Sequence, residues 1–196
     1  DDPTLETYEG KPVLGHYRYD DQGVKAGRLS VIDGGRLIAQ LMSRNPSREF
    51  QHSTGHGRNG QATSGCMIVT AKDPADAEAL KQELIDSCQD EGLPFGIRIE
   101  APGGAGLAAP LVVHKVFPDG HEEPVRGVEV ARIDLKAFKR ILAAGDKPFV
   151  LNTKNAGGQT LIAPAMLFEE LDLAKIDRDF DRPPILPAPL ARASGG

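Results

Sequence analysis

The 196-residue chain lacks the features that would mark a membrane-spanning or nucleic-acid-binding protein. No apolar run approaches the ~20 residues that a helix needs to cross a bilayer, so no membrane partner is expected. Positive charge is not in surplus: 23 Lys and Arg stand against 28 Asp and Glu, a formal net charge of -5. A phosphate binder usually carries a basic face or stripe, so no nucleic-acid partner is expected either. The opening DDPTLETYEG is acidic and polar and does not have the form of a signal peptide. A chain that opens on Asp1 is expected to be cut from something longer, which leaves the compartment unknown. Cysteine is scarce as well. Cys66 sits in the apolar run CMIVTA and Cys88 on the apolar side of a predicted helix, so both read as small buried hydrophobes rather than ligands. A disulfide between them stays open, because its geometry is not readable from sequence. What remains, 26% charged and 40% hydrophobic, is ordinary for a soluble globular protein of one sizeable domain or two small ones.

The most unusual stretch is SREFQHSTGHGRNG at 47–60, which places His52 and His56 four apart. On a helix that spacing puts two imidazoles on one face, the geometry used by zinc peptidases. The stretch is a poor helix, however. Gly55, Gly57 and Gly60 would each cost about 1 kcal/mol relative to alanine in a helix interior. Ser53 also occupies the position where the general-base glutamate would follow the first histidine. No catalytic zinc site is read from these residues.

Elsewhere the pattern is α+β with a largely antiparallel sheet. AGRLSVIDGGRLIAQLMS reads as a hairpin turning at Asp33-Gly34-Gly35. LVVHKVFPDGHEEPVRGVEV reads as a second, turning at Pro118-Asp119-Gly120, with Pro124 marking its return strand as an edge. Between them KDPADAEALKQELIDSCQDEGL is the best helix, predicted over 73–91. Asp73 is its expected N-cap, Pro74 its first residue and Gly92 its stop, with Ala77, Leu80, Leu84 and Cys88 inward. A shorter helix is predicted at 134–146, capped by Asp134 and ended by Gly145, with Leu135, Phe138, Ile141 and Leu142 inward. The long loop 43–64 is expected to be functional or disordered, and the loop 100–110 to be a flexible connector rather than a glycine-lined approach to a ligand. The charged and then proline-rich tail, 177–196, is expected to run extended over the surface beyond a domain at 1–176.

Several stretches together resemble the C-terminal domain of the TldD/PmbA metallopeptidase family, also called modulators of DNA gyrase. They are DDPTL, YRYDDQGVKAGRLSVIDGGRLIAQLMSR, PSREFQHSTGHGR, IAPAMLFEELDL and RPPILPAP. The most specific part pairs DDxGVxAxRxxxIxxGxL at 20–37 with SxGHGR at 53–58. The resemblance implies a barrel-like sheet with the two predicted helices packed on it, closing the substrate cleft against an N-terminal domain that carries an HExxxH zinc helix. That motif is missing here: His121 precedes Glu122, but no histidine lies beyond. The resemblance also implies, for active members, a zinc-binding cysteine shortly before a Gly-Gln pair. This chain has Gly158-Gln159 with Lys154 near the cysteine's place.

The resemblance therefore implies the C-terminal half of a zinc metallopeptidase acting on peptides. The alternatives are a non-catalytic partner subunit of such a peptidase and a peptide- or anion-binding module. No catalytic residue, metal ligand or cofactor is assigned to this chain, and zinc belongs to the full-length protein. Tight zinc binding by the chain alone is not expected. His52, His56 and Arg58 are the expected substrate-binding residues, with arginine suited to grip a peptide carboxylate through its planar fork. The expected partners are a peptide substrate, the N-terminal domain of the same protein, and a homo- or heterodimer mate. His16, His114 and His121 receive no role.

Overall fold

The structure is a computed structural model that describes residues 1–45, 48, 51–100, 112–132, 136–154 and 157–175. Of the loop expected at 100–110, Glu100 is described and 101–110 lie outside the described residues, as does the tail expected at 177–196.

The first part of the chain is pinned by two-residue antiparallel hairpins. β1 (Thr7–Tyr8) pairs with β2 (Lys11–Pro12), and β3 (Ile32–Asp33) with β4 (Arg36–Leu37). β5 (Gly57–Arg58) pairs with β6 (Gln61–Ala62). Each turns on two residues at positive φ, Glu9-Gly10, Gly34-Gly35 and Asn59-Gly60. That conformation matches the twist of the flanking strands. The hairpin expected at Asp33-Gly34-Gly35 is present. The third lies inside the segment expected to be a loop, and Asn59-Gly60 was its unread signal.

β7 (Cys66–Ile68) then runs parallel to β13 (Gln159–Phe168), which pairs on its other side, antiparallel, with β12 (Ile141–Thr153). β8 (Gly96–Glu100), β9 (Val112–Val116) and β10 (Glu122–Val125) form an antiparallel sheet. Pro124 lies on its edge strand, β10, as expected. β11 (Val128–Arg132) pairs with β14 (Asp172–Lys175). The pieces are two- and three-stranded, and among the described residues none closes into a barrel. One buried cluster joins Val13, Cys66 and Ile162, with Leu5, Tyr8, Ile68 and Val150 packed against it. Cys66 and Cys88 are both buried and both free. No helix among the described residues is long and apolar enough to cross a membrane.

The main helix, α1, spans Ala77–Asp90, later than expected, with Asp76 rather than Asp73 as its N-cap. The Asp76 carboxylate accepts the Ala79 N–H at 2.8 Å. The start is displaced because Ala75 is committed to strand-like pairing with β12. Its N–H donates to the Ala144 carbonyl at 2.8 Å, and its own carbonyl accepts from Asp146 at 2.9 Å. Gly92, at φ 67°, ends the helix as expected. Ile85 and Cys88 are buried, Leu80 and Leu84 half-buried, and Ala77 is exposed, so the inward face is shifted from the expected one. That face packs on β8 and β12. A Cβ on Gly96 would come within 2.5 Å of Leu84 Cδ1, and one on Gly145 within 3.4 Å of Leu80 Cδ1.

The second predicted helix does not form. Positions 133–135, including Asp134 and Leu135, lie outside the described residues, and only a 3-10 turn, Ala137–Lys139, precedes β12. Ile141, Ala143 and Ala144 take ladder partners in Phe168, Leu167 and Met166. This tertiary pairing overrides a helical periodicity that is only a weak local preference. Phe138 is half exposed and meets the Phe168 ring edge-on at 5.9 Å.

Candidate functional site

The two stretches that make up the most specific motif are folded against each other. Asp20 is buried and accepts three backbone N–H bonds. Its Oδ1 takes Gln22 at 3.0 Å and Val24 at 2.8 Å, and its Oδ2 takes Gly57 at 2.9 Å. Asp21 continues the contact: its N–H donates to the Gly57 carbonyl at 2.9 Å, and its Oδ2 accepts from Asn59 at 2.7 Å. Position 57 has little room for a side chain, since a Cβ there would lie 2.4 Å from Gln22 Oε1 and 3.0 Å from Asp20 Oδ2. Gly55, at φ +75°, is held by the Tyr17 hydroxyl, which donates to its carbonyl at 3.1 Å.

His56 points into this unit and is fully buried. Its Nε2 lies 3.2 Å from Asp1 Oδ1, and its Nδ1 lies 2.9 Å from both the carbonyl and the hydroxyl of Thr54. Burial pushes the imidazole below the ordinary histidine range, opposed by the hydrogen bond to the Thr54 carbonyl and by the charge of Asp20. Both ring nitrogens face oxygen acceptors, so a neutral ring donates either to Asp1 through Nε2–H or to the Thr54 carbonyl through Nδ1–H. Asp1 also accepts from Ser64 Oγ at 2.6 Å and from the Gly65 N–H at 3.2 Å.

Arg58 points the other way along the chain, toward the β12–β13 ribbon. Its side chain is 12% exposed, with Nε 3.5 Å from Asp21 Oδ1. Nη2 donates to the Gly157 carbonyl at 3.0 Å, and the guanidinium lies 4.7 Å above the Tyr17 ring. Burial pushes the Tyr17 phenol up to about 12, although the Arg58 cation opposes the shift. A Cβ on Gly157 would strike Arg58 Nη2 at 2.4 Å. Of the three expected site residues, then, His56 is sealed in and Arg58 braces two segments. His52 is exposed, with no hydrogen bond or ion pair among the described residues.

Beside Arg58 and Gly157 lies a cleft of about 250 Å³, lined among the described residues by Leu14, Lys154, Gly157 and Gly158. Its wall is held by a polar relay. Asn152 Oδ1 accepts from the Leu14 N–H at 3.1 Å and from Thr160 Oγ1 at 2.7 Å, while Asn152 Nδ2 donates to the Pro12 carbonyl at 3.0 Å. Thr160 Oγ1 in turn accepts from the Gly15 N–H at 3.0 Å. Gln159 Nε2 donates to the Ser64 carbonyl at 3.2 Å. Sequence reasoning missed Asn152 and Thr160, whose backbone partners Pro12, Leu14 and Gly15 lie more than a hundred residues away and leave no local signal. Asp1 and Asp20 were visible as motif letters, but not as the partners of His56 and Gly57.

The zinc that the resemblance implies for active members does not fit this donor set. Lys154 is the one ionisable side chain in the cleft lining among the described residues, and an ammonium donates hydrogen bonds without offering a lone pair. Cys66 and Cys88 are buried, and burial raises both thiols, away from the thiolate form that binds metal. Among the described residues no three His, Cys, Asp or Glu side chains are grouped to hold a metal ion.

Residues 1–93 match the family described as the PmbA/TldA metallopeptidase C-terminal domain. The fold is similar to a crystal structure from Thermotoga maritima MSB8, that of a candidate modulator of a DNA gyrase, with a TM-score of 0.62 at 19% identity. The match covers 88% of this chain and 40% of that one, so this chain spans less than half that protein's length. The comparison with curated proteins gives no match.

Proposed function

We propose, from the match of residues 1–93 to the PmbA/TldA metallopeptidase C-terminal domain family, that the chain is the C-terminal half of a TldD/PmbA-type peptidase and closes the substrate cleft over a peptide. The observation that carries this reading is the placement of Arg58. A peptidase must hold an extended, mobile substrate still against its catalytic group. Arg58 is held by Tyr17, Asp21 and Gly157, and Gly157 also lines a cleft with an apolar wall in Leu14 and a cation in Lys154. Two cations beside Gly157 suit an anionic group of a peptide. In this reading Arg58 touches the peptide, His52 meets it from solvent, and His56 acts through the loop that it anchors. Hydrolysis by a zinc-activated water belongs to the intact protein. Its further partners are the N-terminal domain of the same protein and a homo- or heterodimer mate.

Lys154 favours a second reading, a non-catalytic subunit that pairs with an active family member, because lysine stands near where active members carry the cysteine. Cleavage of an unstructured peptide, measured with zinc content on the intact protein alone and mixed with an active relative, separates the two. Zinc-dependent cleavage by the protein alone supports the first reading, cleavage only in the mixture supports the second, and no cleavage in either overturns both. Under either reading Arg58→Lys lowers kcat/KM about ten- to a hundredfold, since a lost charge-assisted hydrogen bond is worth on the order of 1.5 to 3 kcal/mol.

A further inference from the structure

We infer that the cleft between Leu14, Lys154, Gly157 and Gly158 is a carboxylate site, in which Lys154 binds the anion and Arg58 exchanges its Gly157 carbonyl for it. The inference rests on the peptide reading and deepens it by naming the group of the peptide that is recognised.

The lining supplies one cation, one apolar wall and two residues without side chains. No carboxylate of the chain is part of it among the described residues, and Lys154 is exposed with neither ion pair nor hydrogen bond among them. Asp21 offsets part of the Arg58 charge but does so from 3.5 Å, long for a charge-assisted bond. Among the described residues, the cleft therefore leaves Lys154 without a counter-charge. Gly157 is exposed, and at φ +81° and +104° Gly157 and Gly158 leave no room for a side chain, since a Cβ would strike Arg58 Nη2 at 2.4 Å and the Leu14 carbonyl oxygen at 2.5 Å. Among the described residues the neutral acceptor on the Arg58 fork is the Gly157 carbonyl, at 3.0 Å from Nη2. A carboxylate beside it offers two charged oxygens in the plane that the guanidinium fork matches, and such bonds are roughly twice as strong as bonds to a neutral acceptor. Leu14, 47% exposed, gives the neighbouring side chain of the peptide an apolar surface.

A carboxylate of this kind comes from a peptide C-terminus or from an Asp or Glu side chain. Calorimetric titration of the intact protein tests the site with three probes: N-acetyl-trialanine, its C-terminal amide, and an amidated peptide ending in aspartate. The free acid binds at least about tenfold more tightly than the amide. The aspartate amide follows the acid if a side-chain carboxylate is accepted, and the plain amide if only the terminus is. Lys154→Gln weakens the acid about tenfold and leaves the amide unchanged, Arg58→Lys also weakens the acid, and the charge control Lys147→Gln has no effect. The site is refuted if acid and amide bind alike, if nothing binds, or if Lys154→Gln and Lys147→Gln behave the same. Peptide cleavage that persists while acid and amide bind alike removes this site and keeps the peptidase reading. Discrimination of acid from amide without cleavage does the reverse.

Discussion

Asp20 has no ion pair with Lys or Arg among the described residues, yet it is buried and satisfied because three backbone N–H groups point at its oxygens. Asp20→Ala strands those donors, and each unsatisfied buried group costs about 1 to 3 kcal/mol. A loss of about 3 kcal/mol is therefore expected in chemical denaturation, against about 1 kcal/mol for Asp21→Ala, whose side chain is half exposed. His56 makes the same unit sensitive to pH. Its imidazole is held below the ordinary value of 6.5, chiefly by burial, so the folded chain binds that proton less readily than the unfolded chain. Its contribution is whole above the unfolded pKa and is lost as pH falls toward the lowered folded value. The stability gap between wild type and His56→Gln is expected to narrow from about pH 7 to about pH 5; a constant gap would show that His56 does not titrate differently in the fold. Sequence placed His52, His56 and Arg58 in one glycine-lined loop. It could not place Asp1 and Asp20 beside that loop, because the pairings span 55 and 37 positions and follow no local period.

Elements whose signals are local were legible. The Gly92 stop, the Asp33-Gly34-Gly35 and Pro118-Asp119-Gly120 turns and the edge position of Pro124 all follow from backbone preferences of the residues themselves. Elements decided by distant strands were not: 134–146 has the spacing of a helix, but β13 supplies ladder partners from Ile141 onward. The helix α1 packs through Ile85 and Cys88, so Ile85→Ala should cost about 2 to 5 kcal/mol. Lys81 is not a neutral surface position. Its Nζ lies 2.9 Å from both Glu122 Oε1 and the Gly120 carbonyl, tying the helix to the β9–β10 turn. That contact, followed by the hydrogen bond from Arg98, holds the Glu122 carboxyl below its usual range. Lys81→Ala is expected to cost about 1 kcal/mol in the same denaturation series. Equal losses at the two positions would mean that the packed face lies elsewhere.

Across the whole molecule, the irregular first part of the chain is stitched to the β12–β13 ribbon by contacts that local reading cannot supply. Gly15 and Gly65 approach so closely that a Cβ on Gly15 would sit 1.8 Å from the Gly65 carbonyl oxygen. Asn152, Thr160 and Gln159 hold 12–15 and Ser64, and Arg58 holds Gly157. These stitches set the cleft next to the braced loop, so the functional reading stands on the loop being a rigid platform rather than a solvated connection. Native-state amide exchange at Gly57 tests that claim most directly. With its N–H buried on Asp20 Oδ2, Gly57 should exchange only through global unfolding, as slowly as Ile162 in the core, and should become fast in Asp20→Asn. Exchange at Gly57 as fast as at the exposed Gly34 turn would contradict the account.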